Sequence, residues 1–233
     1  MLLSAGRGTR LAPLTDTTPK PLVAVGGRAL IDYTLDRFAE AALERVVVNT
    51  HHLAEQLQAH LEARRAGGYV PRLLQSAEPT LLESGGGVVA ALAQLDAEHF
   101  ATANADAFWV DAEQPAVARM AAAFDPSRMD ALLLLQPLDR VVGYHGPGNF
   151  GLTGDGQLAR VARPEFVFTG LALWSARAFQ GYRPEPFSLR VLFEAARGED
   201  GRLHRMYGLV HDGDWVHVGT PEELAEAEAF LSR

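Results

Sequence analysis

Cysteine is missing from this 233-residue chain, and lysine occurs once, at Lys20. The first absence removes disulfides, thiolate metal sites and thiol nucleophiles, and it suits a cytoplasmic location. The second is sharper, because every other residue in the combined count of 21 lysines and arginines is arginine. An ammonium differs from a guanidinium in shape, hydration and reach, so the one retained lysine marks a position where the exchange is not neutral. No apolar run reaches transmembrane length, and the start lacks the pattern of a secretory signal. No dense basic run offsets the net charge of −8, which argues against nucleic acid as a partner, and nothing points to a membrane. An acidic protein that binds a polyanion must gather positive charge locally.

What is present is a core: 48% of the residues are hydrophobic, in short runs that alternate with amphipathic stretches. That alternation predicts an α/β fold, a Rossmann-like three-layer sandwich around a mainly parallel mixed sheet. Helices are expected over 29–43, 52–63, 84–95, 115–124 and 188–197, with Leu53, Leu57 and Leu61 on one buried face and Pro115 at a first helical position. Strands are expected over 1–5, 45–49, 72–75, 100–104, 131–136, 158–161 and 166–173, and a loop over 143–156. The first strand is short, so the natural chain is expected to begin a few residues upstream. Thr220-Pro221-Glu222-Glu223 has an N-cap threonine, proline at the first helical position and glutamate three residues after the cap, followed by a stripe of Leu224, Ala227 and Leu231. No repeat or linker divides residues 1–233, which predicts one domain.

The chemistry gathers near the start. Ala5-Gly6-Arg7-Gly8-Thr9-Arg10 leads through Pro13-Leu14-Thr15 to Pro19-Lys20-Pro21. Glycines directly after a first strand let backbone N–H groups approach phosphate oxygens, and Arg7, Arg10 and Lys20 concentrate positive charge there. No Gly-Lys-Ser/Thr follows, so this is not a Walker loop, and it is not the dinucleotide fingerprint either. Glu83 precedes the glycines after Ser84, and Asp106 stands at a strand end. Each has a structural alternative: a tight turn before a helix for the glycines, a solvated strand-end carboxylate or helix cap for Asp106. His51 and His52 sit side by side at a strand-to-helix turn, an unfavourable arrangement for a metal pair.

The whole segment resembles the signature of the sugar-phosphate nucleotidyltransferases, which carry Gly-x-Gly-x-Arg, then Pro-Leu-Thr, then Pro-Lys-Pro. The resemblance runs on through Leu82–Gly87, Asn104-Ala105-Asp106, Gly148–Gly151, Phe168-Thr169-Gly170 and Trp215–Thr220. Among branches of the family, the compact length and the Glu-Ser-Gly-Gly-Gly segment are most similar to the N-acetylmuramic acid 1-phosphate uridylyltransferases of bacterial cell-wall (peptidoglycan) recycling. The resemblance implies the nucleotide-diphospho-sugar transferase fold, with a nucleoside triphosphate and a sugar 1-phosphate as substrates. It implies that Ala5, Gly6, Gly8, Thr9, Glu83, Gly85 and Gly86 bind the nucleotide, with Arg10 on the departing phosphates and Lys20 on the α-phosphate. Asn149, Arg163, Thr169 and Gly170 would bind the sugar phosphate. Asp106 and His217 would hold Mg²⁺, with Mn²⁺ the alternative. The sugar phosphate is already an anion, so attack at the α-phosphorus needs no general base.

Two positions depart from the family. His217 stands where relatives carry a second metal-binding aspartate; imidazole ligation, a single carboxylate, compensation by Asp212 or Asp214, and loss of turnover are the alternatives. The second lysine, which many relatives place on the sugar phosphate within Glu-Lys-Pro, is replaced in Ala162-Arg163-Pro164, where Arg163 is the candidate substitute. Mannose 1-phosphate guanylyltransferase and a non-catalytic nucleotide-sugar-binding relative remain alternative functions. Base choice would rest on few contacts, Gln75 and Glu78 among the candidates.

Overall fold

The computed structural model describes residues 1–233. Its main sheet has nine strands in the spatial order β10 (Gly151–Leu152), β11 (Gln157–Ala159), β13 (Arg202–Val210), β8 (Ala131–Pro137), β12 (Phe166–Ser175), β6 (His99–Asn104), β1 (Leu2–Leu3), β4 (Arg45–Thr50) and β5 (Arg72–Ala77). The strands β6, β1, β4 and β5 form one parallel block, and β8 pairs in parallel with β13. Only β11 and β12 run against their neighbours. The expected mainly parallel mixed sheet is therefore present. A second sheet orders β7 (Ala107–Val110), β14 (Asp214–His217) and β9 (Val141–Val142), and β2 (Ala24–Val25) pairs with β3 (Arg28–Ala29).

Alternation along the buried strands feeds two cores. Val46, Val48, Leu132 and Leu134 point to one face, Val47, Leu133 and Leu135 to the other. The first face is covered by α2 (Leu30–Glu40), α3 (Ala54–Ala66) and α5 (Ala116–Ala123), through Ile31, Leu35, Phe38, Leu57, Leu61 and Met120. The second is covered by α4 (Glu83–Leu95) and α6 (Arg190–Ala195), through Val88, Ala91, Leu192 and Phe193. A third cluster joins Leu11, Phe108, Val216, Val218 and Ala227, and so ties the loop around the short α1 (Leu14–Thr17) to the small sheet and to α7 (Pro221–Leu231). No helix is long and apolar enough to cross a membrane.

Several expectations shift. Leu53 is not on the buried face of α3 but before it, in the left-handed region at φ 49°. Pro115 precedes α5 rather than opening it. The strand β13 is absent from the sequence pattern because Arg205, at φ 60°, interrupts the alternation: Leu203 and Met206 are both buried three positions apart. In α7 the buried positions are Glu223 and Ala227, whereas Leu231 is 36% exposed. A helix that turns a carboxylate inward and a leucine outward has a reason to do so, and the site supplies it.

One buried group makes stability depend on pH. His211 is fully buried beyond β13; its Nε2 lies 3.3 Å from the Asp214 carbonyl and its Nδ1 has no hydrogen-bond partner. Burial pushes its pKa below the usual imidazole range, so the folded protein binds fewer protons here than the unfolded chain. Stability from this residue is complete above about pH 6.5 and falls as pH drops from there through the lowered folded value. Chemical denaturation at pH 7.5 and 5.5 should show a larger acid-side loss for the wild type than for His211→Asn; equal losses would contradict it.

Candidate active site

The C-terminal ends of β1, β4 and β6 open into a cleft of about 410 Å³. The chain runs outward from β1 to β4 and β5 and then returns to β6 on the other side of β1, and crevices at such strand ends are where α/β sheets receive ligands. Ala5, Gly6, Gly8, Thr9, Arg10, Lys20, Glu83 and Asp106, all named from the sequence, line it together. Asn104 and Gly219, each inside a motif segment, join them, as do Ser4 and Asn49, which no motif announced. Asn49 was within reach of sequence reasoning, as a polar residue ending an apolar strand. Its Oδ1 accepts from Ser4 N at 2.7 Å and its Nδ2 donates to the buried Glu78 carboxylate at 2.7 Å. The other Glu78 oxygen accepts from Leu82 N at 2.9 Å, which holds the lip of the cleft.

The glycine loop is shaped by its neighbours. Gly8 adopts φ 65°, and a Cβ there would stand 2.9 Å from Lys20 Cβ and 3.0 Å from Thr15 Cγ2. The Gly8 carbonyl accepts from Leu11 N and from Thr15 Oγ1, both at 2.9 Å, and buried Leu11 anchors the turn. Gly6 differs: a Cβ there meets no protein atom within 4 Å, so it would project into the free space of the cleft. Arg10 makes no ion pair, and its Nη1 would lie 2.9 Å from a Cβ placed on Gly219.

Lys20 is buried, and its Nζ donates to Asp106 Oδ2 at 3.0 Å. Burial alone would raise the Asp106 pKa, but Lys20, His217 and Arg10 together outweigh it and hold the carboxyl below the usual range. His217 lies behind the cleft wall, with Nε2 at 3.9 Å from Asp106 Oδ2 and Nδ1 at 3.0 Å from Glu223 Oε2. The carboxylate and the imidazole are close enough to share one cation at ligand distances of about 2.0–2.2 Å. No cluster of three protein donors surrounds them. Asp212 is held by Arg119 at 2.6 Å, and neither it nor Asp214 lines the cleft.

Seven residues given site roles by resemblance lie outside that lining, His217 and six others. The Gly85 and Gly86 N–H groups donate to the Phe187 carbonyl at 2.8 and 3.1 Å, and a Cβ on either would collide with the Phe187 ring or the Glu185 carbonyl. These glycines make room for the 185–187 segment. Asn149 Oδ1 accepts from Phe168 N at 2.9 Å. Thr169 is buried and donates to the Leu134 carbonyl at 3.0 Å, within the irregular part of β12. Gly170, at φ 91°, lets Asn104 approach, since a Cβ would stand 2.8 Å from it. Arg163 is exposed and unpaired, away from the cleft lining. Gln75 donates to Thr50 Oγ1 at 2.8 Å, and His51 and His52 bond to two different carbonyls.

The chain is similar to known proteins in sequence and in fold. The nucleotidyl transferase family model matches residues 1–138. Over its whole length the chain is 40% identical to N-acetylmuramate alpha-1-phosphate uridylyltransferase of Caulobacter vibrioides, covering 96% of that protein. It is 35% identical to the enzyme of the same name from Neisseria meningitidis, over 99% of this chain and 96% of the relative. HddC from Yersinia pseudotuberculosis, solved with GMP-PN, shares the fold at TM-score 0.75 and 20% identity, over 99% of this chain and 97% of that one. A UDP-glucose pyrophosphorylase solved with UDP-glucose does so at TM-score 0.75 and 18% identity, over 100% and 98%. With its glycine loop, single lysine and strand-end aspartate converging on one cleft, the chain belongs to the nucleotidyl transferase family.

Proposed function

We propose that the protein transfers the uridylyl group of UTP to N-acetylmuramic acid 1-phosphate, releasing pyrophosphate. The observation that carries this is the Lys20–Asp106 pair at the foot of a glycine loop, with Arg10 unpaired beside it. Full-length similarity to two uridylyltransferases supports the choice of base and sugar. No hydroxyl in the cleft is bonded to a histidine: Ser4 Oγ donates to the Asn49 carbonyl, and Ser84 Oγ accepts from Leu189 N. The sugar 1-phosphate is itself an anionic nucleophile, so the transfer can proceed without one from the protein. A phosphate oxygen of the sugar 1-phosphate attacks the α-phosphorus, and the bond to the bridging oxygen of the β-phosphate breaks in line.

In this account the loop amides at Gly6 and Gly8 hold the triphosphate, Lys20 neutralises the α-phosphate and Arg10 steadies the departing pyrophosphate. Asp106 and His217 would hold a divalent cation, Mg²⁺ or Mn²⁺, which when bound offsets triphosphate charge. A protein that only sensed nucleotide sugars would have no need of a free guanidinium positioned for a leaving group. The deciding experiment measures pyrophosphate release across nucleoside triphosphates and sugar 1-phosphates. UTP with N-acetylmuramic acid 1-phosphate should exceed every other pair in kcat/KM by at least about tenfold. Preference for GTP with mannose 1-phosphate would overturn the assignment.

Lys20→Arg should lower kcat by roughly 100-fold, because a bulkier guanidinium cannot reproduce an ammonium bonded to Asp106 on a stem packed under Gly8. A wild-type rate would contradict the role of the single lysine. Asp106→Asn should lose metal-dependent turnover and also lower the melting temperature, since it leaves the buried Lys20 charge without its partner. Unchanged stability would mean that Lys20 finds another partner. The two glycines should separate. Gly8→Ala strains a left-handed residue against Lys20 and should destabilise the fold. Gly6→Ala should keep the wild-type melting temperature while raising the KM for UTP, because its methyl enters only the cleft. Equal effects in thermal melts and KM would contradict this division.

A further inference from the structure

The N-terminal turn of α7 departs from the capping pattern its sequence announces. Thr220 Oγ1 accepts from Glu223 N at 3.3 Å, as a capping threonine should. The Glu223 carboxylate, however, does not reach back to the Thr220 N–H. Its Oε2 accepts from Gly219 N at 2.6 Å and meets His217 Nδ1 at 3.0 Å. Glu223 is only 7% exposed, and its inward turn brings Ala227 into the core and leaves Leu231 at the surface. A helix cap alone gives no reason to bury this carboxylate against an imidazole.

The partners of His217 determine where its proton sits. Nδ1 faces two acceptors, Glu223 Oε2 at 3.0 Å and the Gly143 carbonyl at 3.4 Å. An ionised carboxylate and a carbonyl oxygen can only accept, so with both facing it Nδ1 carries the hydrogen. In the neutral ring Nε2 is then a lone pair, and it faces Asp106 Oδ2 at 3.9 Å. Tyr144 meets the ring edge-on and Trp215 tilts over it, each with centroids 5.7 Å away, so the ring is held on several sides. Two acceptors facing each other across that gap are complementary to a cation between them.

We infer that Glu223 is a positioning residue for the metal site: it fixes the tautomer and orientation of His217 so that Nε2 and Asp106 together hold the divalent cation that accompanies the nucleotide. A carboxylate behind a metal-binding histidine locks the ring and raises its basicity. Here that carboxylate is supplied by the third residue of a helix, which places a negative group one imidazole further from the cation than a direct aspartate ligand would. The proposal rests on the metal-assisted nucleotidyl transfer proposed above, but its test does not depend on turnover.

Two substitutions separate reach from charge. Glu223→Gln can keep an oxygen at the Gly219 N–H and His217 Nδ1–H while losing the charge. Glu223→Asp keeps the charge but withdraws it by about 1.5 Å, one carbon–carbon bond. Mn²⁺ is titrated into each protein saturated with the non-hydrolysable α,β-imido analogue of UTP, with free Mn²⁺ read by electron paramagnetic resonance. Glu223→Asp should weaken Mn²⁺ binding by about 10–100-fold, like His217→Ala, and Glu223→Gln should stay close to wild type. Combining Glu223→Asp with His217→Ala should weaken binding no further than His217→Ala alone. In metal-free protein, ¹⁵N resonances of His217 should report hydrogen on Nδ1 in wild type and in Glu223→Gln. Weak binding by Glu223→Gln with wild-type binding by Glu223→Asp would overturn the proposal, as would hydrogen on Nε2. Unchanged binding by His217→Ala would overturn both it and the assignment of His217 as a ligand. A different preferred nucleotide would change the substrate assignment and leave the positioning role intact.

Discussion

The contact on which the site depends is the ion pair between Lys20 and Asp106. It joins a turn near the start of the chain to the end of a strand 86 positions later. The lysine stem packs under Gly8, so the shape of the glycine loop and the place of the charge are one constraint. On the other side the Asp106 carbonyl accepts from Val218 N at 3.0 Å, which brings the β14–α7 junction against the same point. Loop, strand end and helix start then meet around Gly219, where Arg10, His217 and Glu223 leave no room for a Cβ. A nearly buried pair of this kind contributes little net stability, because desolvation offsets much of its attraction. Its value lies in placing charge before substrate arrives.

That placement explains why the chemistry is economical. The attacking group carries its own negative charge, so the protein has to orient and neutralise, and it has no proton to remove. Cations are concentrated at one end of a protein whose net charge is −8, which keeps an acidic surface compatible with polyanionic substrates. The rest of the fold serves this end. The parallel block β6-β1-β4-β5 aims its strand ends at the cleft, and buried layers on both faces hold them there.

The part of the cleft lining that comes from the first turn was legible in the sequence because it is local. Gly6, Gly8, Arg10 and Lys20 lie within fifteen residues, and Asp106 follows an apolar strand of the same parallel block, so all of them line one cleft. The alternating sheet was legible for the same reason. Residues whose work depends on distant partners were not. Gly85 and Gly86 resemble part of a nucleotide-binding segment, and their missing side chains also admit Phe187 and Glu185, a hundred residues away. Thr169 and Gly170 belong to an irregular strand that supports Asn104 from behind. Glu223 reads as a capping residue until the fold delivers His217 to it. Strand β13 escaped notice because the left-handed Arg205 breaks the alternation that announces strands.

The central claim is that this cleft works by alignment and charge, with one displacement at the α-phosphorus and no covalent nucleotidyl-protein intermediate. Its most direct test is the stereochemical course of the reaction with a single diastereomer of UTP bearing sulfur at the α-phosphorus. A single in-line attack by the sugar phosphate predicts inversion of configuration in the nucleotide-sugar product. Retention would require two successive displacements, and hence a protein nucleophile among residues such as Asp106 or His217, contradicting the account.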